Sequence, residues 1–446
     1  MTFEDLNLSK SLHSALLDLG MTTPTAIQAK AFSPIMSGKD VVGIAQTGTG
    51  KTFAYLLPVM RMWRFTKSPF PQILIIVPTR ELVAQVVEEI KKLATYMNLH
   101  VVGVYGGTNI NTQKNEVGEG SDIVVGTPGR LVDLMLDGVL KTRQLKKLII
   151  DEVDEMLNLG FRTQLRNILD FLPKKRQNLM FSATMTEEVE VIIKEFTDRY
   201  LKIETAPSGA PLENIEQYAY EVPSFNTKTN LLTLLLHEHQ EMKKVLVFAG
   251  TKKMADVLYE RMAAEFDEAV GVIHSSKSQN NRFASVNNFQ EGTYRVLIAT
   301  DIIARGLDVS MVTHVVNFDL PDTAEKYIHR IGRTGRADAK GIAIAFVSEA
   351  EQAYKKQIED LMKLEIKLMD SPEGLTISDE LIPLEMPTIH VPFNNHKMKT
   401  HEPTGPAFHE KKAKNKKVNV TLRRADRMKI KYKKPKTRGD KNRRKK

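Results

Sequence analysis

The feature that most constrains this chain is a glycine-rich loop between an apolar run and an apolar helix start. The loop, residues 45–52, reads AQTGTGKT; the run Val41–Ile44 precedes it and residues 53–57 follow it. A strand, a glycine-rich turn and a helix in this order form the context of a phosphate-binding loop. We therefore expect a nucleotide-binding α/β domain, with a plain glycine turn as the alternative from the loop alone.

Each side chain of the loop has an expected role in holding a nucleoside triphosphate. The glycines let the backbone approach phosphate oxygens without a Cβ in the way. Lys51 is expected to place its charge on the β- and γ-phosphates, and the Thr52 hydroxyl is expected to ligate Mg²⁺. Position 45 is Ala where the usual pattern has Gly. The loop residues predicted to bind ATP are Gln46, Thr47, Gly48, Thr49, Gly50, Lys51 and Thr52.

A pair of acidic residues supplies the second half of a hydrolysis site. Asp151 and Glu152 follow the apolar run at residues 148–150. Asp151 is expected to hold Mg²⁺ through water, and Glu152 to orient and deprotonate the attacking water. Acidic residues at strand ends are common, but paired with Lys51 and Thr52 in one predicted sheet they indicate nucleotide hydrolysis.

The chain contains two series in which strand patterns alternate with helix patterns. Runs of β-branched residues, each followed by a polar cluster, predict parallel strands with ligand-binding residues at their carboxyl ends. The alternation restarts after residues 205–211, which have linker composition, and the second half has no phosphate-binding loop. The fold class is therefore α/β with two tandem parallel-sheet domains. The predicted segments are 1–206, a linker at 207–214, 215–370, and a tail at 371–446.

Clustered arginines mark the second half. Residues 329–336 read HRIGRTGR. They could form a solvated helix face, or Arg333 and Arg336 could reach the γ-phosphate of a nucleotide held by the first domain, which has no such arginine of its own. The basic run at residues 174–176 is interpreted as a solvated loop.

Charge and composition separate a body from a tail. Residues 387–446 hold 21 Lys and Arg against 4 Asp and Glu, a net +17, which leaves −7 for residues 1–386. A basic appendage on a mildly acidic body predicts a nucleic-acid partner held partly without regard to sequence. The chain has no Cys, no apolar run of transmembrane length and no secretory leader pattern, so we expect a cytoplasmic location and no membrane partner.

These motifs, in this order, resemble the DEAD-box ATP-dependent RNA helicases over residues 1–370. Asp151–Asp154, read DEVD, stands at the family's name motif, and Ala at position 45 is normal in that family. Residues 247–251, 279–282 and 304–308 match second-domain motifs. A bacterial RhlE-like branch, which often carries a basic tail, is a looser resemblance.

The resemblance implies two RecA-like domains around a cleft that binds ATP with Mg²⁺. Phe3 would stack on adenine, Gln28 would read its edge, and Asp308 would contact the ribose. The implied RNA-binding residues are Pro78, Thr79, Arg80, Gly106, Gly107, Thr127, Pro128, Gly129, Arg130, Thr300 and Arg305. The implied interdomain coupling residues are Asp154, Ser182, Thr184 and His329. RNA would be held by its backbone, with little sequence preference.

Two positions depart from the family pattern. Val153 replaces the Ala of the name motif, which adds two methyl groups but removes no ligand or base. Residues 274–276, His-Ser-Ser, stand where the family usually has His-Gly-Asp, so any role of that acidic position is in doubt here.

Three functions remain open from the sequence. An RNA-dependent ATPase that opens short duplexes or remodels RNA–protein complexes is favoured by Lys51, Glu152, Arg333 and Arg336. A non-catalytic RNA clamp or annealer is left open by Val153 alone. A DNA helicase is left open because DNA helicases share the chemistry of the predicted core sheets. Ribosomal or messenger ribonucleoprotein partners and a monomeric state are further expectations.

Overall fold

The computed structural model describes residues 1–46, 48–205, 214–301, 312–335 and 340–385. Four of the predicted site residues, Thr47, Arg305, Asp308 and Arg336, lie outside this description. Within the described residues, no helix combines the length and apolar character needed to cross a membrane.

The first half of the chain forms a seven-stranded parallel sheet with helices on both faces. Its strand order is β3-β4-β2-β5-β6-β1-β7. The strands are β1 Val41–Ile44, β2 Ile73–Ile76, β3 Val101–Val104, β4 Ile123–Gly126, β5 Lys147–Ile150, β6 Gln177–Ser182 and β7 Leu201–Glu204. The helices are α1 Lys10–Asp18, α2 Ala26–Met36, α3 Lys51–Met62, α4 Arg80–Leu93, α5 Ile110–Glu119, α6 Pro128–Leu136, α7 Val153–Asn158, α8 Arg162–Phe171 and α9 Glu187–Phe196.

Both faces of this sheet are buried, which explains why its strands read as continuous apolar runs. Successive side chains of a strand point to opposite faces. On β2, Ile75 joins the apolar cluster on one face while Leu74 joins the cluster on the other. Val125 and Val124 divide in the same way on the neighbouring β4. The sheet is thus a rigid platform whose loops carry the polar residues.

The second half repeats this architecture. Its strand order is β10-β11-β9-β12-β13-β8-β14, again all parallel. The strands are β8 Ile215–Glu221, β9 Val245–Phe248, β10 Val270–Ile273, β11 Val296–Ala299, β12 His314–Asn317, β13 Gly341–Val347 and β14 Lys367–Leu368. The described helices are α10 Phe225–Glu238, α11 Lys252–Phe266, α12 Gln279–Glu291, α13 Ala324–Ile331 and α14 Gln352–Met362. Two tandem parallel-sheet domains are confirmed.

A strap, residues 375–385, packs onto the second domain beyond the predicted boundary at residue 370. Ile382 is buried in the apolar cluster that includes α10. The Ser378 carbonyl accepts a hydrogen bond from Thr227 Oγ1 at 2.9 Å, and Glu385 Oε1 accepts one from the Phe225 N–H at 2.7 Å. We therefore propose that the second domain extends to about residue 385, and the other predicted boundaries stay predictions.

Candidate ATP and RNA site between the two domains

Three adjacent strands of the first sheet bring the two halves of the predicted hydrolysis site together. In the order β5-β6-β1, Ile44 pairs with Ser182, and Ile150 lies beside Met180. The glycine-rich loop follows β1, and Asp151 follows β5. Parallel strands end at one edge of a sheet, so both segments meet there.

The end of the glycine-rich loop has a backbone that only glycine adopts readily. Gly50 has φ +84°, and a Cβ at this position would lie 2.4 Å from Nε2 of Gln28. α3 begins at the next residue, Lys51, whose side chain is buried. Among the described residues its Nζ has no hydrogen-bond partner. A buried ammonium without a partner beside a helix N-terminus is suited to an anionic ligand.

Gln28 and Phe3, the residues predicted to meet adenine, are both buried. Gln28 Oε1 accepts a hydrogen bond from the Thr25 N–H at 3.0 Å, and Gln28 Nε2 donates to the Gly50 carbonyl at 3.2 Å. The Phe3 N–H donates to the Thr22 carbonyl at 3.2 Å. The amide of Gln28 thus links α2 to the glycine-rich loop, and the adenine contacts stay predictions.

Glu152 stands at the turn from β5 into α7 in a left-handed backbone conformation, with φ 53° and ψ 54°. Its N–H donates to Asp151 Oδ1 at 2.9 Å. Burial raises the pKa of Glu152, although the charges of Arg333 and Lys51 oppose the shift. Burial also raises the pKa of Asp151, and Lys51 again opposes it. Both carboxyls therefore depend on cations for their ionised form.

Asp154 connects the two domains. Its Oδ2 accepts hydrogen bonds from the Ala183 N–H at 3.1 Å and from the N–H and Oγ1 of Thr184, both at 2.9 Å. The Asp154 N–H donates to Ser182 Oγ at 3.3 Å. From the second domain, His329 Nε2 lies 3.7 Å from Asp154 Oδ2. Although burial acts in the other direction, His329 and these hydrogen bonds hold the pKa of Asp154 below its usual value. The structure therefore brings all four predicted coupling residues together.

The described arginines of α13 and the turn after it are not a solvated face. Arg330 is buried and binds Asp301 through two bonds, with Nε 2.5 Å from Oδ1 and Nη2 2.9 Å from Oδ2. Arg333 is buried too and lines one cavity with Lys51 and Glu152 of the first domain. Arg333 thus reaches the side of the cleft that carries Lys51 and Glu152.

A second interdomain contact was not predicted. Arg282 of α12 forms an ion pair with Glu81 of α4, and both side chains are buried. Gln279 Nε2 donates to Glu81 Oε1 at 3.0 Å, and Arg80 Nη1 donates to Gln279 Oε1 at 3.3 Å. The sequence held only one signal for this contact, the match of residues 279–282 to a second-domain motif, and gave no partner for it.

The RNA-binding candidates of the first domain follow β2, β3 and β4. Gly107 has φ +79°, and a Cβ there would lie 2.0 Å from Nη1 of Arg80, so glycine allows this arginine to cross the loop. Thr79 caps α4 by accepting from the Leu82 N–H at 3.3 Å. The candidates at these three strand ends are Pro78, Thr79, Arg80, Gly106, Gly107, Thr127, Pro128, Gly129 and Arg130.

Two RNA-binding candidates have distinctive surroundings. Arg130 is buried, and its Nη1 and Nη2 donate to Gln113 Oε1 at 2.5 Å and to the Thr108 carbonyl at 3.1 Å. It braces the loop after β3, so its direct contact with RNA stays a prediction. Thr300, after β11, is buried, and its hydroxyl has no hydrogen-bond partner among the described residues.

Tyr55 of α3 is a further site residue that the sequence did not reveal. Its ring is fully buried, with its centroid 5.3 Å from that of Phe181. Burial and the nearby carboxylate of Asp151 raise the pKa of Tyr55 well above its usual value. An aromatic residue in an apolar helix start is indistinguishable from a core residue in the sequence.

Comparison with known proteins agrees with this geometry. The family model described as DEAD/DEAH box helicase matches residues 25–192, and the one described as helicase conserved C-terminal domain matches residues 227–338. The DEAD-box ATP-dependent RNA helicase CshA of Bacillus cereus is 40% identical over 371 residues, which are 83% of this chain and 70% of that protein.

Two solved structures share the fold. That of S. cerevisiae Dbp5 bound to RNA and ADP BeF3 has a TM-score of 0.76 at 29% identity and covers 82% of this chain and 95% of that chain. That of Mss116p bound to ssRNA and AMP-PNP has a TM-score of 0.77 at 28% identity and covers 84% of this chain and 81% of that chain. With two RecA-like domains and a shared site between them, this chain belongs to the DEAD-box ATP-dependent RNA helicase family.

Proposed function

We propose that this chain hydrolyses ATP in the cavity between its domains and uses domain closure to open short RNA duplexes or remodel RNA–protein complexes. One observation carries the proposal: Lys51 and Glu152 of the first domain line the same cavity as His329 and Arg333 of the second. A hydrolysis site divided in this way is complete only when the domains are together. ATP and RNA would each favour that closed state, and their binding would be reciprocal.

The residues present fit a triphosphate and Mg²⁺. The buried, unpartnered Nζ of Lys51 needs an anion. A Thr52 hydroxyl and an Asp151 carboxylate are oxygen donors of the kind that Mg²⁺ takes in nucleotide sites. When bound, Mg²⁺ would neutralise charge on the phosphate oxygens. Thr52 and Asp151 would hold it, Asp151 through water.

The hydrolytic roles follow from position and charge. Glu152, with a pKa raised by burial, would orient the attacking water and take its proton. Arg333 would stabilise the negative charge that develops on the transferred phosphoryl group, as an arginine finger supplied by the second domain. Arg336 is assigned the same role from the sequence alone. Gln28 and Phe3 would bind adenine, and Asp308 the ribose.

RNA would lie across the carboxyl-end loops of both sheets. The candidates there offer backbone amides, hydroxyls and arginines, which bind phosphates and sugars rather than base edges. RNA is favoured over DNA because the 2′-OH is available to such contacts. Thr300 and Arg305 would supply them from the second domain. Holding one strand bent, without translocation, would disrupt a short duplex.

The decisive experiment compares steady-state ATP hydrolysis without nucleic acid, with single-stranded RNA, and with DNA of the same sequence. We expect strong stimulation by RNA alone. Equal stimulation by DNA would contradict the RNA assignment. No hydrolysis despite bound ATP would favour the non-catalytic clamp.

The variant Glu152→Gln tests the site itself. It keeps the side-chain volume but removes the base, so we expect RNA-stimulated hydrolysis to fall by at least about 100-fold while ATP binding persists. Glu188→Gln, at an exposed position of α9, is the matched control and should hydrolyse ATP normally. Near-normal turnover by Glu152→Gln would refute the assigned base.

The remaining assignments of partner and place are also proposals. We propose a cytoplasmic monomer that acts on ribosomal or messenger ribonucleoprotein, with a tail at residues 387–446 that binds RNA without sequence preference. The charge of that tail, a net +17, supports the last point.

A further inference from the structure

The loops at the amino ends of the first sheet form a basic surface opposite the ATP cavity. Because all seven strands are parallel, the loops that precede them share the edge away from the glycine-rich loop. We define the basic edge by six residues in the loops before β2, β5 and β6 and at the start of β5: Arg64, Lys141, Arg143, Lys146, Lys147 and Arg176.

Hydrogen bonds join these loops into one surface. Gln72 Nε2 donates to the Arg64 carbonyl at 2.9 Å, and Gln72 Oε1 accepts from Lys146 Nζ at 2.8 Å. On the next strand, Lys147 Nζ donates to Gln177 Oε1 at 2.5 Å. Arg176 comes directly before Gln177. These hydrogen bonds therefore bring the loops before β2, β5 and β6 together at the strand starts.

The positive charge of the basic edge is not neutralised by ion pairs. None of its six residues forms a salt bridge with a carboxylate in the part of the chain that the structure describes. Asp40, at the same edge, accepts from Asn178 with both oxygens, each at 2.8 Å, and forms no ion pair with the six residues. Burial lowers the pKa of Arg176, and the charge of Asp40 opposes this shift, so Arg176 is the residue of the basic edge that Asp40 partly balances. Burial and the charge of Lys146 lower the pKa of Lys147 to about 8. An ammonium destabilised in this way gains from a nearby anion.

The loop before β2, which carries Arg64, also carries the aromatic residues Phe65 and Phe70. The Phe65 side chain is 62% exposed, although it is large and apolar. The Arg143 guanidinium lies 4.0 Å from the ring centroid of Phe70, and Lys141 Nζ lies 5.7 Å from the same centroid. Basic side chains interleaved with an exposed aromatic ring are the elements that hold single-stranded nucleic acid, by phosphate contact and base stacking.

We propose that the basic edge is a second RNA-binding surface, which takes single-stranded RNA with Phe65 as a stacking platform and works without ATP. This second surface rests on the proposed function only because that function makes RNA the ligand. It revises the interpretation of residues 174–176 as merely a solvated loop. An acidic protein would match the charge, but it would give no reason for an exposed Phe65 next to Arg64.

The test measures the affinity of the full chain for a labelled single-stranded RNA without nucleotide, between 50 and 200 mM salt. Each phosphate contact contributes about 0.7 to the slope of log affinity against log salt. For Lys141→Ala/Arg143→Ala we expect a slope smaller by about 1.4, and for Phe65→Ala an affinity at least about 5-fold lower. Lys356→Ala/Lys367→Ala, in the second domain, should lower the slope by less. Thermal unfolding shows that each variant is folded.

Photocrosslinking of the unsubstituted chain to the same RNA supplies an independent readout. We expect a crosslinked peptide that contains Phe65, and unchanged maximal RNA-stimulated ATP hydrolysis in Phe65→Ala. Unchanged affinity and slope in folded edge variants, with no crosslink at Phe65, would overturn the inference and point to an acidic partner. If Phe65 crosslinks to RNA but RNA does not stimulate ATP hydrolysis by the chain, the proposed function is contradicted. The proposal that the basic edge binds RNA is then still supported.

Discussion

At the scale of single residues, the proposed hydrolysis site includes an unusual backbone conformation at Glu152. A φ of 53° is sparsely populated for a residue with a side chain and costs of order 1–3 kcal/mol. The conformation lets the chain turn from β5 straight into α7, with Glu152 in the cavity shared with Arg333. Strain at this position is therefore offset by the packing of the strand and helix around it.

The raised pKa of Glu152 predicts the pH dependence of hydrolysis. As the proposed base, Glu152 must be ionised to accept a proton, so the rate should rise with pH and fall as pH drops through the raised pKa of Glu152. At saturating ATP and RNA, we expect the acidic limb of the kcat profile to lie above the ordinary glutamate value of about 4.3. A rate that stays constant down to that pH would contradict a raised pKa.

Val153 tests whether the departure in the name motif affects function. Its side chain is buried in the apolar cluster beneath the site, and it contributes no polar atom. We expect Val153→Ala to lower the free energy of unfolding by about 1–3 kcal/mol by leaving a small cavity. RNA-stimulated ATP hydrolysis should stay within a few-fold. Denaturant unfolding and steady-state kinetics measure the two effects, and a large change in kcat without loss of stability would show a direct effect of Val153 on the site.

At the scale of elements, α4 and α12 form a second contact between the two domains, separate from the proposed ATP cavity. The pair Glu81–Arg282 is buried, and Gln279 donates to Glu81 Oε1 while it accepts from Arg80. Glu81 Oε2 and Arg282 Nε have no hydrogen-bond partner among the described residues. Loss of one partner of a buried ion pair leaves the other charge buried and uncompensated. The contact therefore fixes the position of one domain relative to the other, at the sheet edge that carries the candidate RNA-binding residues.

We predict that Arg282→Ala weakens domain closure. Leaving Glu81 uncompensated should cost about 3–5 kcal/mol in the closed state alone, so RNA-stimulated kcat/KM should fall by at least 10-fold. ATP affinity without RNA should change little. The control is Arg166→Ala, which removes an exposed ion pair with Glu195 and should have almost no effect. Less than a 2-fold effect of Arg282→Ala would show that closure does not depend on this contact.

At the scale of the whole molecule, charge is divided between a body of net −7 and the tail of net +17. The tail follows the strap, which Ile382 and Glu385 fix to α10. The affinity of the tail for RNA would be electrostatic, and the two domains would supply the ATP-dependent contacts with RNA. Binding strength and ATP-driven action are thus assigned to different parts of the chain.

Deletion of residues 387–446 tests this division. If six to ten tail charges neutralise phosphates, RNA affinity of the full chain should fall by roughly 10³- to 10⁵-fold between 50 and 200 mM salt. The deletion should weaken RNA binding and flatten this dependence, while ATP binding without RNA persists. A salt dependence that is unchanged after deletion would refute the tether.

Much of the architecture was predictable because buried parallel strands and phosphate-binding loops leave strong local patterns. The runs at β1, β2, β4 and β5 are apolar on both faces, and each ends at a polar cluster. The strap was missed because its apolar residues follow no period, and only Leu375 and Ile382 pack against the core, while Ile377, Leu381 and Leu384 are exposed. The packing of Leu375 and Ile382 depends on where α10 lies, which local pattern does not encode.

The sequence by itself determined the two α/β domains, the phosphate-binding loop, the acidic pair and the division of charge, because each depends on residues adjacent in the chain. Only the tertiary structure decided that Arg333 shares a cavity with Glu152, that Arg282 pairs with Glu81, and that the basic edge is one surface. These contacts join residues far apart in sequence, and their energies depend on burial and distance. Both quantities exist only once the sheets have formed and packed.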